Sequence, residues 1–171
     1  IEHLLNEFSD FARMPKPIFK KINLIKTISG TISLLELSDP NISINFTKKD
    51  SSYFINADEE QFSRVFLNLI KNSIESIYEM KSKNVDFKGK INIDITEDND
   101  YIYISILDNG IGFKSVDITK MLTPYYTTKK NGTGLGLAIV TKIIHDHNSL
   151  ISFNALKDGA KVTITIPKYY G

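Results

Sequence analysis

The sequence predicts an α+β fold, a two-layer α/β sandwich in which helices cover one face of a mixed, largely antiparallel sheet, preceded by a short N-terminal helix. Three observations predict it. Apolar residues alternate with period two at 42–46, 91–97, 101–108, 150–155 and 160–167, the signature of half-buried strands. Apolar residues recur at helical spacing in 23–38, in 58–81 and in a stretch from about 134 to 147. Each of these helices crosses between strand pairs, which places a helical layer on one sheet.

The elements follow in order. Ile1, Leu4, Leu5, Phe8, Phe11 and Ala12 share a helical stripe in residues 1–13, and Met14-Pro15-Lys16-Pro17 ends it because proline cannot donate and restricts the residue before it. Asp39-Pro40-Asn41 stops the second helix, and a polar turn at 47–52 leads to a short strand at 53–56. Asp58 is a plausible cap for the long helix that follows. Asp98-Asn99-Asp100 turns one hairpin and Asp158-Gly159 another. Residues 109–133 carry little periodicity beyond a short helix at 115–122, and a loop of that length inside a compact domain is often a lid or binding loop. With few core-forming residues, 114–131 is expected to be mobile without ligand.

Composition narrows the function. The 171 residues fit one domain with a short appendage, and 42% apolar content excludes wholesale disorder. A net charge of +1 gives no global field for nucleic acid, so any anion site is local. The absence of Cys removes disulfide scaffolds, thiolate zinc sites and cysteine nucleophiles. No apolar run approaches the roughly 20 residues of a membrane span. A start at Ile1, with neither Met nor a signal-like segment, reads as a piece of a longer protein.

Three polar constellations carry the chemistry. In NLIKNSIES, residues 68–76, Phe62, Phe66, Leu69, Ser73 and Ile77 form one apolar face, and Asn68 and Asn72 border it one turn apart. An amide oxygen there can coordinate Mg²⁺, which takes few protein ligands plus water and phosphate oxygens; otherwise these are two solvated amides. In Asp108-Asn109-Gly110-Ile111-Gly112, a strand delivers a carboxylate to its end and glycines let a flat ligand approach the backbone. That carboxylate can accept from an exocyclic amine such as adenine's, or it simply caps a turn. A calcium loop is disfavoured by Gly110 at the second ligand position and Thr119 at the twelfth. In Asn131-Gly132-Thr133-Gly134-Leu135-Gly136-Leu137, glycines before an apolar helix form an anion cradle, or a merely flexible loop. It is neither a dinucleotide fingerprint, which needs a strand directly before it, nor a Walker loop, since Leu137 follows Gly136.

The ordered set resembles the ATP-binding domain of sensor histidine kinases, the Bergerat fold shared with gyrase and MutL. NLIKNSIES is similar to the N box, DNGIGF (108–113) to the G1 box, TPYYTTK (123–129) to the F box, GTGLGLAIV (132–140) to the G2 box and GAKVTITIP (159–167) to the terminal strand. The segment 6–17, NEFSDFARMPKP, resembles the end of the second dimerisation helix of NtrY-type nitrogen-regulation sensor kinases. The resemblance implies that residues 1–14 end the dimerisation and phosphoacceptor domain, 15–22 link, and 23–171 form the catalytic domain. The phosphoacceptor motif is absent and His3 lacks its context, so His3 reads as a surface or packing residue. His145 and His147 end a helix, where cations suit the dipole.

Box by box, the resemblance implies that Asn72 holds Mg²⁺ against the ATP phosphates and Asn68 supports the metal or phosphate. Asp108 accepts from the adenine amine, with Gly110 and Gly112 shaping the pocket floor. Tyr125 or Tyr126 anchors the lid, Tyr126 and Thr128 join the nucleotide-binding set, and Lys129 reaches phosphate. Gly132, Gly134, Leu135, Gly136 and Leu137 offer backbone amides, and Thr133 a hydroxyl. Many relatives carry Gly-Thr at the start of the last strand, the Thr supporting the adenine carboxylate. Here the pair is Gly159-Ala160, with Thr163 the nearby hydroxyl, so either adenine affinity is weakened or a water fills in.

ATP-hydrolysing members such as gyrase and MutL carry a general-base Glu four residues before the metal Asn. Here that position is Asn68, which implies phosphoryl transfer to a histidine of the dimerisation helices for relay to an Asp of a response regulator receiver domain. The implied partners are ATP, Mg²⁺, those helices and that receiver, in a homodimeric full-length protein. The domain itself is expected in the cytoplasm, and an inner-membrane anchor in the full-length protein is left open. A nucleotide-binding pseudokinase acting as an interaction module and a Ser/Thr-directed kinase of the same fold remain as alternatives.

Overall fold

The isoleucine alternation builds the sheet. In the computed structural model, which describes residues 2–47, 52–113, 118–124 and 135–170, strands β4 (Lys90–Glu97), β5 (Tyr101–Asp108) and β7 (Gly159–Pro167) all turn their isoleucines to the same side. Ile93, Ile104 and Ile164 are buried there, while the intervening polar residues face outward. With β2 (Ser43–Thr47) and β6 (Leu150–Leu156) at the edges, five of the described strands form a sheet of order β2-β4-β5-β7-β6. Its pairs are antiparallel except β2–β4, which is parallel and whose connection runs through β3 (Phe54–Ala57) and a helix.

That connecting helix, α3 (Glu59–Lys83), is capped as its sequence predicts: the Asp58 carboxylate accepts from the Gln61 N–H at 3.1 Å. Its predicted face (Phe62, Phe66, Leu69, Ser73, Ile77) is buried on the sheet. Helices α2 (Leu24–Ser38) and α5 (Gly136–Asp146) flank it and complete the helical layer. Helix α1 (Glu2–Ala12) and a short α4 (Ile118–Met121) lie outside that layer's sequence order, and Phe11 and Met14 pack against the core. The His3 side chain and residues 114–117 of the expected short helix fall outside the described residues.

One element is unanticipated. Residues 20–22 of the expected linker belong to β1 (Lys20–Asn23), which pairs antiparallel with β3 in a separate two-stranded sheet. Asn23 ends it and caps α2, accepting from the Ile25 N–H at 3.0 Å. Upstream, the chain at 14–19 has no regular secondary structure and is held against the start of α3. The Ile18 N–H donates to the Asp58 carboxylate at 2.8 Å, and Gln61 Nε2 donates to the Pro15 carbonyl at 3.0 Å. Among the described residues no helix is long and apolar enough to cross a membrane.

The reading of His147 as a helix-end cation is corrected. His147 is buried between Phe19 and Phe62, with ring centroids 5.1 and 4.8 Å away. Its Nε2 accepts from the Asp58 N–H at 3.0 Å, so Nδ1, 2.7 Å from the Ile143 carbonyl, is the protonated donor of a neutral ring. Burial lowers its pKa, outweighing the opposing pull of the Ile143 carbonyl and the nearby carboxylates of Asp58 and Asp146. The ring therefore ties the end of α5 to the start of α3.

Candidate functional site

β5 ends on Asp108, which is 6% exposed on the helical side of the sheet. The next residue holds this strand end in place. Asn109 donates from its backbone to the Lys90 carbonyl (3.3 Å), accepts the Lys90 N–H on Oδ1 (2.7 Å) and donates from Nδ2 to the Lys88 carbonyl (3.0 Å). Gly110 then passes directly beneath α3. A Cβ there would lie 2.6 Å from the Ser76 carbonyl carbon and 2.7 Å from the Ile77 nitrogen, so only glycine fits. Ile111 N–H donates to the Ser76 carbonyl and Gly112 N–H to Ser76 Oγ, both at 3.2 Å. Gly112 has φ +71°, and a Cβ on it would meet the Gly159 carbonyl oxygen at 2.5 Å.

The Asp108 carboxylate is thus embedded where α3, the 109–112 turn and the start of β7 meet. Burial pushes its pKa up. The Gly110 N–H, which donates to the carboxylate at 2.9 Å, and the nearby polar groups of Ser73, Ala160 and Ser76 oppose that shift without cancelling it. A desolvated carboxylate held by the Gly110 N–H keeps its orientation and can accept a further hydrogen bond from a ligand amine.

Asn68 and Asn72 sit on α3, both half-buried, and Asn68 Nδ2 donates to the Gly136 carbonyl at 3.4 Å. Residues 68, 72 and 76 follow one edge of the helix at successive turns, covering about 12 Å at 1.5 Å per residue. One end of that edge touches the start of α5 and the other touches the turn after Asp108. At α5, Leu135 is buried, Leu137 packs partly against the core, and Gly136 opens the helix with no atom of the described residues, beyond its chain neighbours and its own helix backbone, within 4 Å of where a Cβ would be. Backbone at this N-terminus can therefore be approached closely by an anion.

The structure thus brings Asp108, Gly110 and Gly112 together under α3, and Asn68 onto the α5 start with Leu135, Gly136 and Leu137. Tyr125, Tyr126, Thr128, Lys129, Gly132, Thr133 and Gly134 lie outside the described residues, as does most of the expected mobile segment. Among the described residues no group of three His, Asp or Glu side chains could hold a metal by itself. That donor set fits a Mg²⁺ carried largely by phosphate oxygens with an amide such as Asn72, not an all-protein cage. Sequence reasoning missed Ser76, although it continues the 68–72 spacing by one more turn, and it read Ser73 only as a face residue.

Comparison with known proteins accounts for this arrangement. The profile of the histidine kinase-, DNA gyrase B- and HSP90-like ATPase family matches residues 57–170. The chain is 33% identical over 159 residues to the nitrogen regulation protein NtrY of Azorhizobium caulinodans, covering 93% of this chain and 20% of that protein. It thus spans about a fifth of that relative's length. The solved catalytic domain of histidine kinase ThkA superposes with a TM-score of 0.76 at 28% identity, covering 88% of this chain and 96% of that one. A structure of ThkA in complex with the response regulator protein TrrA has a TM-score of 0.76 at 22% identity, over 98% of this chain and 47% of that one. With the boxes in order along the chain, and the described residues of the N, G1 and G2 boxes gathered around one edge of α3, the chain belongs to the histidine kinase-, DNA gyrase B- and HSP90-like ATPase family, as a catalytic ATPase domain of the sensor histidine kinases.

Proposed function

We propose that this domain binds Mg-ATP along the edge of α3 and transfers the γ-phosphoryl group to a histidine carried by dimerisation helices. The observation that carries the reading is the buried, donor-fixed Asp108 at one end of that edge and the open α5 N-terminus at the other. Asp108 accepts from the adenine amine, and Gly110 and Gly112 keep the turn thin beneath it. The backbone at Leu135, Gly136 and Leu137 receives phosphate, joined by Gly132, Thr133, Gly134, Thr128 and Lys129, with Tyr126 at the lid. Asn72 holds Mg²⁺, and Asn68 positions it or the phosphate against α5. Mg²⁺ bound there neutralises phosphate charge.

Asn68 stands where a hydrolase needs a general base, and an amide cannot take a proton at neutral pH. Transfer to a neutral imidazole needs no such base. The imidazole nitrogen attacks the γ-phosphorus, the bond to the β,γ-bridging oxygen breaks, ADP leaves, and the imidazole proton passes to solvent. Residues 1–14 read as the end of the helix pair that presents this imidazole, and 15–19, ahead of β1, as the connection to it. An aspartate of a response regulator is the next acceptor; ThkA, a neighbour in fold, has been solved with such a regulator.

Incubating the 171-residue chain and γ-labelled ATP with a separate phosphoacceptor helix pair from an NtrY-type kinase tests this. Acid-labile label on the helix pair, dependent on Mg²⁺, is expected. Nucleotide binding without transfer marks an interaction module, and acid-stable label a Ser/Thr-directed kinase.

A further inference from the structure

β5 pairs with β4 as far as Asp108, which sits opposite Ile91, and the chain then leaves the sheet to pass beneath α3. A strand that turns away leaves the backbone groups of its neighbour in need of partners. Asn109 supplies them. Its backbone N–H still reaches the Lys90 carbonyl at 3.3 Å, its Oδ1 accepts the Lys90 N–H at 2.7 Å, and its Nδ2 donates to the Lys88 carbonyl at 3.0 Å. The side chain is thus one further rung of the ladder, donor and acceptor together, which a carboxamide offers and a carboxylate does not. Gly89, between the two gripped residues, is buried where a Cβ would collide with the Ile77 side chain, so the gripped segment is itself seated on α3.

The grip reaches the carboxylate through one peptide. The N–H that holds Asp108 Oδ1, at 2.9 Å, belongs to the peptide joining Asn109 to Gly110. The Ile111 and Gly112 N–H groups that follow donate to the Ser76 carbonyl and hydroxyl. That peptide is therefore fixed by α3 on one side and, through the Asn109 side chain, by the start of β4 on the other.

We propose that Asn109 is a positioning residue for purine recognition: by extending the β4–β5 ladder past Asp108, its carboxamide fixes the Asn109–Gly110 peptide and so aims the carboxylate, and with it the preference for adenine over guanine. Guanine offers an oxygen where adenine offers its amine, so a carboxylate held rigidly in place rejects it. The proposal rests on the reading of Asp108 as the purine contact.

Equilibrium binding of ATP and GTP to the 171-residue chain, with calorimetric melting alongside, tests it. Asn109→Ala removes both side-chain bonds. Asn109→Asp keeps the shape and the acceptor for the Lys90 N–H but sets an oxygen against the Lys88 carbonyl. Both bonds lie at an exposed position, so water takes their place and the fold is kept. The ATP-to-GTP affinity ratio is expected to fall about tenfold in Asn109→Ala and about threefold in Asn109→Asp, through ATP and not GTP. Should Asn109→Ala not fold, Asn109→Asp decides. A lowered melting midpoint with ATP and GTP affinities reduced equally marks Asn109 as merely structural and overturns the proposal. A parental ratio in either variant, with a collapsed ratio in Asp108→Ala, also overturns it while leaving the purine contact standing. A parental ratio in Asp108→Ala sinks the purine contact and this proposal with it.

Discussion

Gly110→Ala is the sharpest test of how the site is built. The added methyl would lie 2.6 Å from the Ser76 carbonyl carbon and 2.7 Å from the Ile77 nitrogen, where ordinary contact begins near 3.4 Å. The 109–112 turn must therefore retreat from α3 by about 0.8 Å, the difference between 3.4 and 2.6 Å. Both obstructing atoms are helix backbone and cannot swing away. Overpacking of this kind costs about 1–3 kcal/mol. For a domain of this size each kcal/mol lowers the melting midpoint by about 2–4 °C, giving a fall of roughly 2–12 °C. The retreat also draws the Gly110 N–H from Asp108 Oδ1, now 2.9 Å away, and ATP affinity should fall about tenfold or more. Gly30→Ala is the control. It lies inside α2 with nothing within 4 Å of its would-be Cβ, so it should raise the midpoint, since Ala is favoured over Gly in a helix by about 1 kcal/mol. Calorimetric melting and ATP titration read both variants. A Gly110→Ala protein that melts and binds like the parent would refute the close-approach argument.

Further outcomes are expected. The folded chain resists protonating His147 while the unfolded chain takes that proton near pH 6.5, so stability present above 6.5 declines as pH falls below it. Urea unfolding at pH 7.5 and 5.5 should show the loss, and His147→Leu, though less stable at both, should lose less between them; an equal loss contradicts the buried neutral ring. Asn72→Ala should abolish the Mg²⁺-dependent part of nucleotide binding with the fold intact by circular dichroism, whereas unfolding would mark the amide as structural. Because burial raises the Asp108 pKa above 3.8, adenosine affinity should fall on acidification with a midpoint above that value, and a midpoint at or below it counts against Asp108 as acceptor.

The sheet and its helical layer were legible because local pattern decides them: isoleucines at every second position leave β4, β5 and β7 one way to face. Asp108 and Gly110 were legible for a related reason, a carboxylate at a strand end followed at once by glycine. What escaped depends on contacts distant in sequence. Lys20-Lys21-Ile22-Asn23 is too short to show alternation and becomes a strand only through β3, more than thirty residues away. His147 looks like a helix-end cation until Phe19 and Phe62 enclose it. The Ser76 carbonyl acquires the Ile111 N–H only because α3 crosses the end of β5, which no periodicity in either segment encodes.

The irregular chain ahead of β1 has a mechanical consequence. Because Asp58 grips the Ile18 amide and Gln61 the Pro15 carbonyl, this stretch moves with the catalytic body as one lever arm. Helix α1 persists to Ala12, and the Arg13 N–H still donates to the Ser9 carbonyl. The free torsions between the two rigid parts therefore shrink to the few around Arg13 and Met14, since the φ of Pro15 is fixed by its ring. A joint so short, with Phe11 and Met14 packed against the core, passes a rotation of the preceding helix directly to the start of α3 with little slack.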